Sequence, residues 1–229
     1  MKVMILAAGR GERMRPLTDQ TPKPLLIAGG KPLIVWHIER LAAAGFRELV
    51  INHAHLGDKL IAALGDGGQW GVRIDWSAEP PGALETAGGI AKALPLLGDD
   101  AFLVVNGDIW CDWDFNRARA LADRHAHLVM IANPAHHAAG DFRLHGEQLR
   151  LAGDGRNDEQ EHSPTLTYCG IGVYSPAFFS GVPEGAAMKM RPLLDDAIPR
   201  GIVTGERHGG RWVDVGTPER LAALDRELS

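Results

Sequence analysis

Short apolar, β-branched runs alternate along this chain with stretches of helical periodicity, and that alternation constrains the fold more than any other feature. Runs at 3–8, 49–52, 72–76, 102–105, 128–132, 167–174 and 212–215 read as strands. Helical spacing is expected at 33–44, 59–64, 88–94, 115–124, 193–198 and 218–228. The last of these is well marked, with Thr217 as N-cap, Pro218 at the first helical position and Glu219 in the first turn. A strand–helix–strand rhythm specifies βαβ units. The expected fold is therefore α/β: a Rossmann-like mixed, mainly parallel sheet with helices on both faces.

No internal repeat or polar linker interrupts the pattern, so residues 1–229 are expected to form a single domain. The least regular stretch, 134–164, carries several glycines and a run of acids and histidines. It reads equally well as a solvated loop or as a flap over a substrate pocket. The apolar run at 3–8 is too short to span a membrane and is followed at once by charged residues. A net charge of -5 gives no global basic field, which argues against wholesale nucleic-acid or membrane binding. The two cysteines, Cys111 and Cys169, lack CxxC spacing and fit a reducing compartment, so a cytoplasmic protein is expected. Nothing in the sequence fixes the oligomeric state, and a short chain of this kind is compatible with a monomer.

The first strand runs into Ala8-Gly9-Arg10-Gly11-Glu12-Arg13-Met14-Arg15-Pro16. A glycine-rich turn after a parallel strand is where backbone N–H groups can face a phosphate. Two familiar phosphate loops are excluded. A dinucleotide fingerprint needs a third glycine where Met14 stands, and a Walker loop needs Gly-Lys-Ser/Thr, whereas Gly30-Lys31 is followed by Pro32. What remains is a longer loop in which Arg10, Arg13, Arg15 and Lys23 outnumber Glu12 and Asp19. Such cations beside open amides suit a triphosphate. Lys23 stands between Pro22 and Pro24, whose stiff backbone fixes where its amine points.

The string Leu6-Ala7-Ala8-Gly9-Arg10-Gly11-Glu12-Arg13-Met14-Arg15-Pro16, continuing to Thr21-Pro22-Lys23-Pro24-Leu25-Leu26, resembles the signature of the sugar-1-phosphate nucleotidyltransferases. The resemblance implies that Ala8, Gly9, Gly11, Glu12 and Arg13 hold the nucleotide phosphates. It implies that Arg13 or Arg15 grips the β- and γ-phosphates, and that Lys23 stabilises the transition state and the departing pyrophosphate.

Asp108 stands just past the apolar run 102–105, where open α/β sheets place ligands. Asp214 lies within the apolar run 212–215, where a carboxylate is costly unless it is paired or bound to a cation. Both segments resemble the family's Gly-Asp and Trp-x-Asp-x-Gly-Thr-Pro motifs, and the resemblance implies that Asp108 and Asp214 hold Mg²⁺. One or two carboxylates plus phosphate oxygens are what that ion takes. His53 and His55 lack a third metal ligand at recognisable spacing.

The segment Glu79-Pro80-Pro81-Gly82-Ala83-Leu84-Glu85-Thr86-Ala87-Gly88 resembles the family's nucleobase loop, which implies nucleotide contacts at Glu79, Gly82, Leu84 and Thr86. Glu85 replaces the usual glycine, a version similar to that of the short uridylyltransferases that act on N-acetylmuramate 1-phosphate. For the sugar, the resemblance implies Asn106, Gly140, Asp154 or a neighbour, Cys169 and Gly170. The expected reaction is Mg²⁺-dependent attack of a sugar 1-phosphate on the α-phosphate of UTP. The alternatives are guanylyl or thymidylyl transfer to a hexose 1-phosphate, and a non-catalytic nucleotide-sugar-binding relative. The presence of Lys23, Asp108 and Asp214 favours activity. A nicotinamide dehydrogenase is weakened by the missing glycine.

Overall fold

The computed structural model describes residues 1–152 and 163–229. Its strands are β1 (Val3–Leu6), β2 (Ile27–Ala28), β3 (Lys31–Pro32), β4 (Glu48–His53), β5 (Arg73–Ala78), β6 (Phe102–Asn106), β7 (Ile109–Cys111), β8 (Ala126–Ile131), β9 (Phe142–His145), β10 (Gln148–Leu151), β11 (Thr165–Tyr174), β12 (Val203–Arg207) and β13 (Trp212–Asp214). The α-helices are α1 (Leu33–Ala43), α2 (Gly57–Leu64), α3 (Glu85–Leu97), α4 (Met190–Ala197) and α5 (Pro218–Leu228). No helix among the described residues is long and apolar enough to cross a membrane.

Nine strands form the main sheet in the order β5-β4-β1-β6-β11-β8-β12-β10-β9, with β9 also paired to β11. The sheet is mixed, as expected, but the parallel pairing is confined to two blocks. β5, β4, β1 and β6 are mutually parallel, as are β8 and β12. Between the blocks β11 runs antiparallel to both β6 and β8, and β9 and β10 add further antiparallel pairs. The description "mainly parallel" therefore holds only for the first block. The described residues between β8 and β11 hold the β9–β10 hairpin, whose two strands are antiparallel to each other.

Alternation of side chains along the strands sends them to two separate cores. Val3 and Ile5 face Ile34, Ile38 and Leu41 of α1 and Leu60 and Leu64 of α2. Met4 and Val104 face Ala87, Ile90, Ala93 and Leu97 of α3, with Leu194 and Ala197 of α4 beyond. Helices thus cover both faces. A third cluster, Met14, Leu26, Ala28, Leu33, Val215, Leu221 and Leu224, fastens α5 against the N-terminal loop. Each fully buried aliphatic side chain contributes about 1.5–3 kcal/mol, so these clusters hold the loop against the sheet.

Two sequence expectations are corrected. The 115–124 helix is a run of 3-10 turns over Phe115–Leu121, capped by Asp114. Only Phe115 and Ala118 of that run are buried, three apart, so there is no broad apolar stripe to stabilise α-helical winding. The 134–164 stretch contains the β9–β10 hairpin, turning at Gly146-Glu147, with Leu149 opposite Leu144 and Leu151 opposite Phe142. The alternation Phe142-Arg143-Leu144-His145 is the period-2 signal that the irregular composition of its flanks obscured.

Candidate active site

Strand β1 lies between β4 and β6, and the chain builds β4 and β5 on one side of it before returning to β6 on the other. That reversal opens a crevice at the carboxyl ends of the strands. A cleft of about 540 Å³ occupies it, with Leu6, Ala7 and Ala8 following β1, Asn52 from β4, Glu79 just past β5 and Asn106 closing β6. The glycine loop roofs one side through Gly9, Gly11, Glu12 and Arg13. Gly11 adopts φ 65, and a Cβ there would stand 3.0 Å from Thr18 and 3.1 Å from Lys23, so only glycine lets the loop close over the lysine stem.

Lys23 is almost fully buried, and its Nζ donates to Asp108 Oδ2 at 2.7 Å. Pro22 and Pro24 bracket it in a single 3-10 turn, Lys23–Leu25, which leads into β2. The turn carrying Asp108 is fixed from behind by α1, because His37 Nε2 donates to the Ile109 carbonyl at 2.8 Å. Burial pushes the His37 pKa down to about 4, so the ring is neutral, and its other nitrogen has no partner among the described residues.

Asp214 is brought alongside by backbone pairing. β13 and β7 form an antiparallel pair with Asp214 opposite Ile109, and Val215 N donates to the Asp108 carbonyl at 3.0 Å. The Asp214 carboxylate accepts from Arg220 at 2.6 Å and lies 3.3 Å from His136 Nε2. In the described structure the cation beside this partly buried carboxylate is Arg220, in the first turn of α5. The Thr217 N-cap is also present, accepting from Arg220 N.

The three arginines of the loop separate. Arg13 and Arg10 line the cleft, and neither has a carboxylate partner among the described residues. Arg15 does not line the cleft. It is ion-paired to Asp19 and faces an adjoining depression with Thr18 and His55, which shares Arg10 and Glu12 with the cleft. Of the two arginines the sequence left open for the phosphates, the structure puts only Arg13 in the cleft.

The segment expected to form the nucleobase loop shows a buried network that the sequence did not reveal. Asn52 Oδ1 accepts from Ala7 N at 2.7 Å, and its Nδ2 donates to Glu79 Oε1 at 2.6 Å. Glu79 Oε2 accepts from Leu84 N at 2.7 Å. Both oxygens of Glu79 are thus committed to shaping the loop, and Asn52 ties three strand ends together. The signal for Asn52 was a polar residue inside the apolar run 49–52. Gly82 and Thr86 line the cleft, whereas Leu84 is buried beneath it. Glu85 also lines it and opens α3 at φ 58, so the chain keeps the left-handed backbone that a glycine adopts freely. The helix starts three residues earlier than expected. Gly89 sits against Glu79 Oε1, where a Cβ would approach to 2.4 Å.

Among the expected sugar residues, Asn106 lines the cleft and touches Gly170, which has φ 88 and room for no side chain against the Asn106 amide. Cys169 is buried next to Cys111, and its carbonyl accepts from Trp212 Nε1. Its thiol therefore packs rather than faces the cleft. Gly140 packs against Asn133 and Thr165 in the segment beyond β8. Asp154 lies outside the described residues.

The Nucleotidyl transferase family model matches residues 2–142. The chain belongs to that family. It is 52% identical over 226 residues to the N-acetylmuramate alpha-1-phosphate uridylyltransferase of Neisseria meningitidis, covering 96% of this chain and 95% of that relative. It is 34% identical over 238 residues to the enzyme of the same name from Caulobacter vibrioides, covering 99% and 96%. Among solved structures it superposes on one described as a glucose-1-phosphate thymidylyltransferase from Bacillus anthracis, with a TM-score of 0.82, 22% identity and coverage of 100% and 95%. That last likeness concerns the nucleotidyltransferase fold alone.

Proposed function

We propose that this protein transfers UMP from UTP to N-acetylmuramate 1-phosphate, releasing pyrophosphate and giving UDP-N-acetylmuramate. The observation that carries the reading is the Lys23–Asp108 contact at the mouth of a glycine-roofed cleft. The choice of substrates rests on the 52% identity to a uridylyltransferase of that specificity.

In this reading the amides of Gly9 to Arg13 hold the triphosphate, with Arg10 and Arg13, which have no carboxylate partner among the described residues, as its cations. Lys23 meets the charge that develops as pyrophosphate departs. Gly82 and Thr86 frame the base, and Asn106, Gly140 and Gly170 border the acceptor. We read the segment 134–164, of which 153–162 lie outside the described residues, as the flap, and the whole chain as one catalytic domain. Arg15 is left with a peripheral, structural role.

The donor set suits Mg²⁺. Asp108 and Asp214 sit on paired backbone, and each carries a side-chain cation, Lys23 and Arg220, where a divalent ion's charge would stand. When bound, the ion supplies charge neutralisation at the phosphates undergoing transfer. UTP and a phosphorylated cell-wall sugar as substrates support a cytoplasmic activity in reuse of cell-wall material.

The test is pyrophosphate release from a grid of nucleoside triphosphates against the 1-phosphates of N-acetylmuramate, N-acetylglucosamine, glucose and mannose, with Mg²⁺ or EDTA. Release confined to UTP with N-acetylmuramate 1-phosphate is expected. Release with another pair would overturn the substrate assignment. No release, with UTP still bound, would make the protein a nucleotide-binding regulator.

A further inference from the structure

Arg220 is an unusual residue for its place. It stands in the first turn of α5, where the helix dipole disfavours a cation. Its side chain is three-quarters buried, and its guanidinium lies on Asp214 at 2.6 Å. It also contacts His136 Nε2 at 3.0 Å, in the segment that follows β8. Gly216 makes this arrangement fit, because a Cβ there would stand 2.7 Å from the Arg220 guanidinium and 3.0 Å from both Asp214 oxygens. The backbone of Gly216 also borders the nucleotide cleft. The guanidinium thus sits between the cleft, which takes the triphosphate, and the segment from 134 onward, which borders the acceptor.

We infer that Arg220 is the residue that binds an oxyanion of the acceptor, held on Asp214 while the site is empty. This rests on the reading of Asp214 as a cation-binding carboxylate. A carboxylate that gives its oxygens to a divalent ion no longer neutralises Arg220. A guanidinium never loses its proton at working pH, so it then requires another anion. The acceptor brings two, the 1-phosphate and the lactyl carboxylate of its muramyl group, and the planar fork of arginine matches either. His136, in the described part of the 134–164 segment, contacts both members of the pair.

The experiment uses the full chain with Arg220→Met and Arg220→Lys, their folding checked by thermal unfolding. In steady-state kinetics Arg220→Met raises KM for N-acetylmuramate 1-phosphate on the order of 10- to 100-fold, the range for a lost hydrogen bond to a charged group, and leaves KM for UTP within about threefold. Arg220→Lys restores part of the loss. Calorimetry with N-acetylglucosamine 1-phosphate, which lacks the carboxylate, and with N-acetylmuramate, which lacks the phosphate, identifies the oxyanion by which ligand loses affinity. Mn²⁺ titration by electron paramagnetic resonance shows Arg220→Met binding the ion at least as tightly as the unaltered protein, because its competitor for Asp214 is gone. Unchanged acceptor KM, an equal rise in KM for UTP, or weakened Mn²⁺ binding in Arg220→Met would each overturn the inference. Asp214→Asn tests the underlying reading separately. If it binds Mn²⁺ normally, the metal assignment falls, and the acceptor KM of Arg220→Met still decides the role of Arg220.

Discussion

Lys23 Nζ and Asp108 Oδ2 are 2.7 Å apart although the two residues are 85 positions apart in the chain. The lysine is nearly buried and the carboxylate is 40% exposed, so the pair joins a fixed cation to an accessible anion at the edge of the cleft. Lys23→Ala is expected to lower kcat by about 10²- to 10³-fold, the cost of removing one preorganised charge-stabilising donor, with a smaller change in KM for UTP. Stopped-flow pyrophosphate detection separates the two. A normal kcat with weaker UTP binding would make Lys23 a binding residue only.

Asp108→Asn and Asp214→Asn should each remove Mg²⁺-dependent turnover while the thermal unfolding curve stays cooperative. Chelation by EDTA should abolish turnover in the unaltered protein, and added Mg²⁺ should restore it. Full activity in either variant excludes that carboxylate from the reaction.

Glu85 offers a test of backbone against side chain. At φ 58 a glycine fits without strain, whereas a β-branched residue does not. Glu85→Val should destabilise the protein by about 1–2 kcal/mol, a drop in melting temperature on the order of 2–8 °C for a chain of this size. Glu85→Gly should stay within about 1 kcal/mol and keep kcat/KM for UTP within about threefold, since relief of strain offsets the freer unfolded chain. A large loss of UTP selectivity in Glu85→Gly would show that the carboxylate itself reads the base.

His37 links stability to pH. Burial holds its folded pKa at about 4, below the usual 6.5, so the unfolded chain binds a proton that the folded chain excludes. Stability is therefore intact above pH 6.5 and declines as pH falls from 6.5 to 4, by about 3 kcal/mol in all from this residue. Burial also lowers the His127 pKa and acts in the same direction. In melting temperatures measured between pH 4 and 7, His37→Gln should show a shallower slope than the unaltered protein, whatever its absolute stability. An unchanged slope would mean that His37 does not contribute to it.

Much of this architecture was legible in the chain. The glycine turns that follow β1 and β6, with Asp108 just past the second, and the boundaries of α5 follow from local patterns: apolar runs ended by glycine, and Thr217 ahead of Pro218. The β9–β10 hairpin was missed because Gly140, Gly146 and the acids beyond Leu151 suggest a loop, although Phe142, Leu144, Leu149 and Leu151 alternate correctly. Asn52 was missed because its two partners, Ala7 N and Glu79, come from other strands.

The sequence by itself determined the glycine loop, the lysine fixed between prolines, the acids that follow apolar runs and the expectation of an α/β layer structure. Each depends on residues within a few positions of one another, where backbone sterics and side-chain period act directly. Only the tertiary structure decided that Arg13 faces the cleft while Arg15 turns to Asp19, that β11 reverses the sheet, and that Arg220 meets Asp214 beside His136. The reversal at β11 and the approach of His136 to the Arg220–Asp214 pair depend on strand pairing and packing between distant segments; Arg15 and Asp19 are four residues apart and Arg220 and Asp214 six, but the direction each pair faces is set by the elements packed around it.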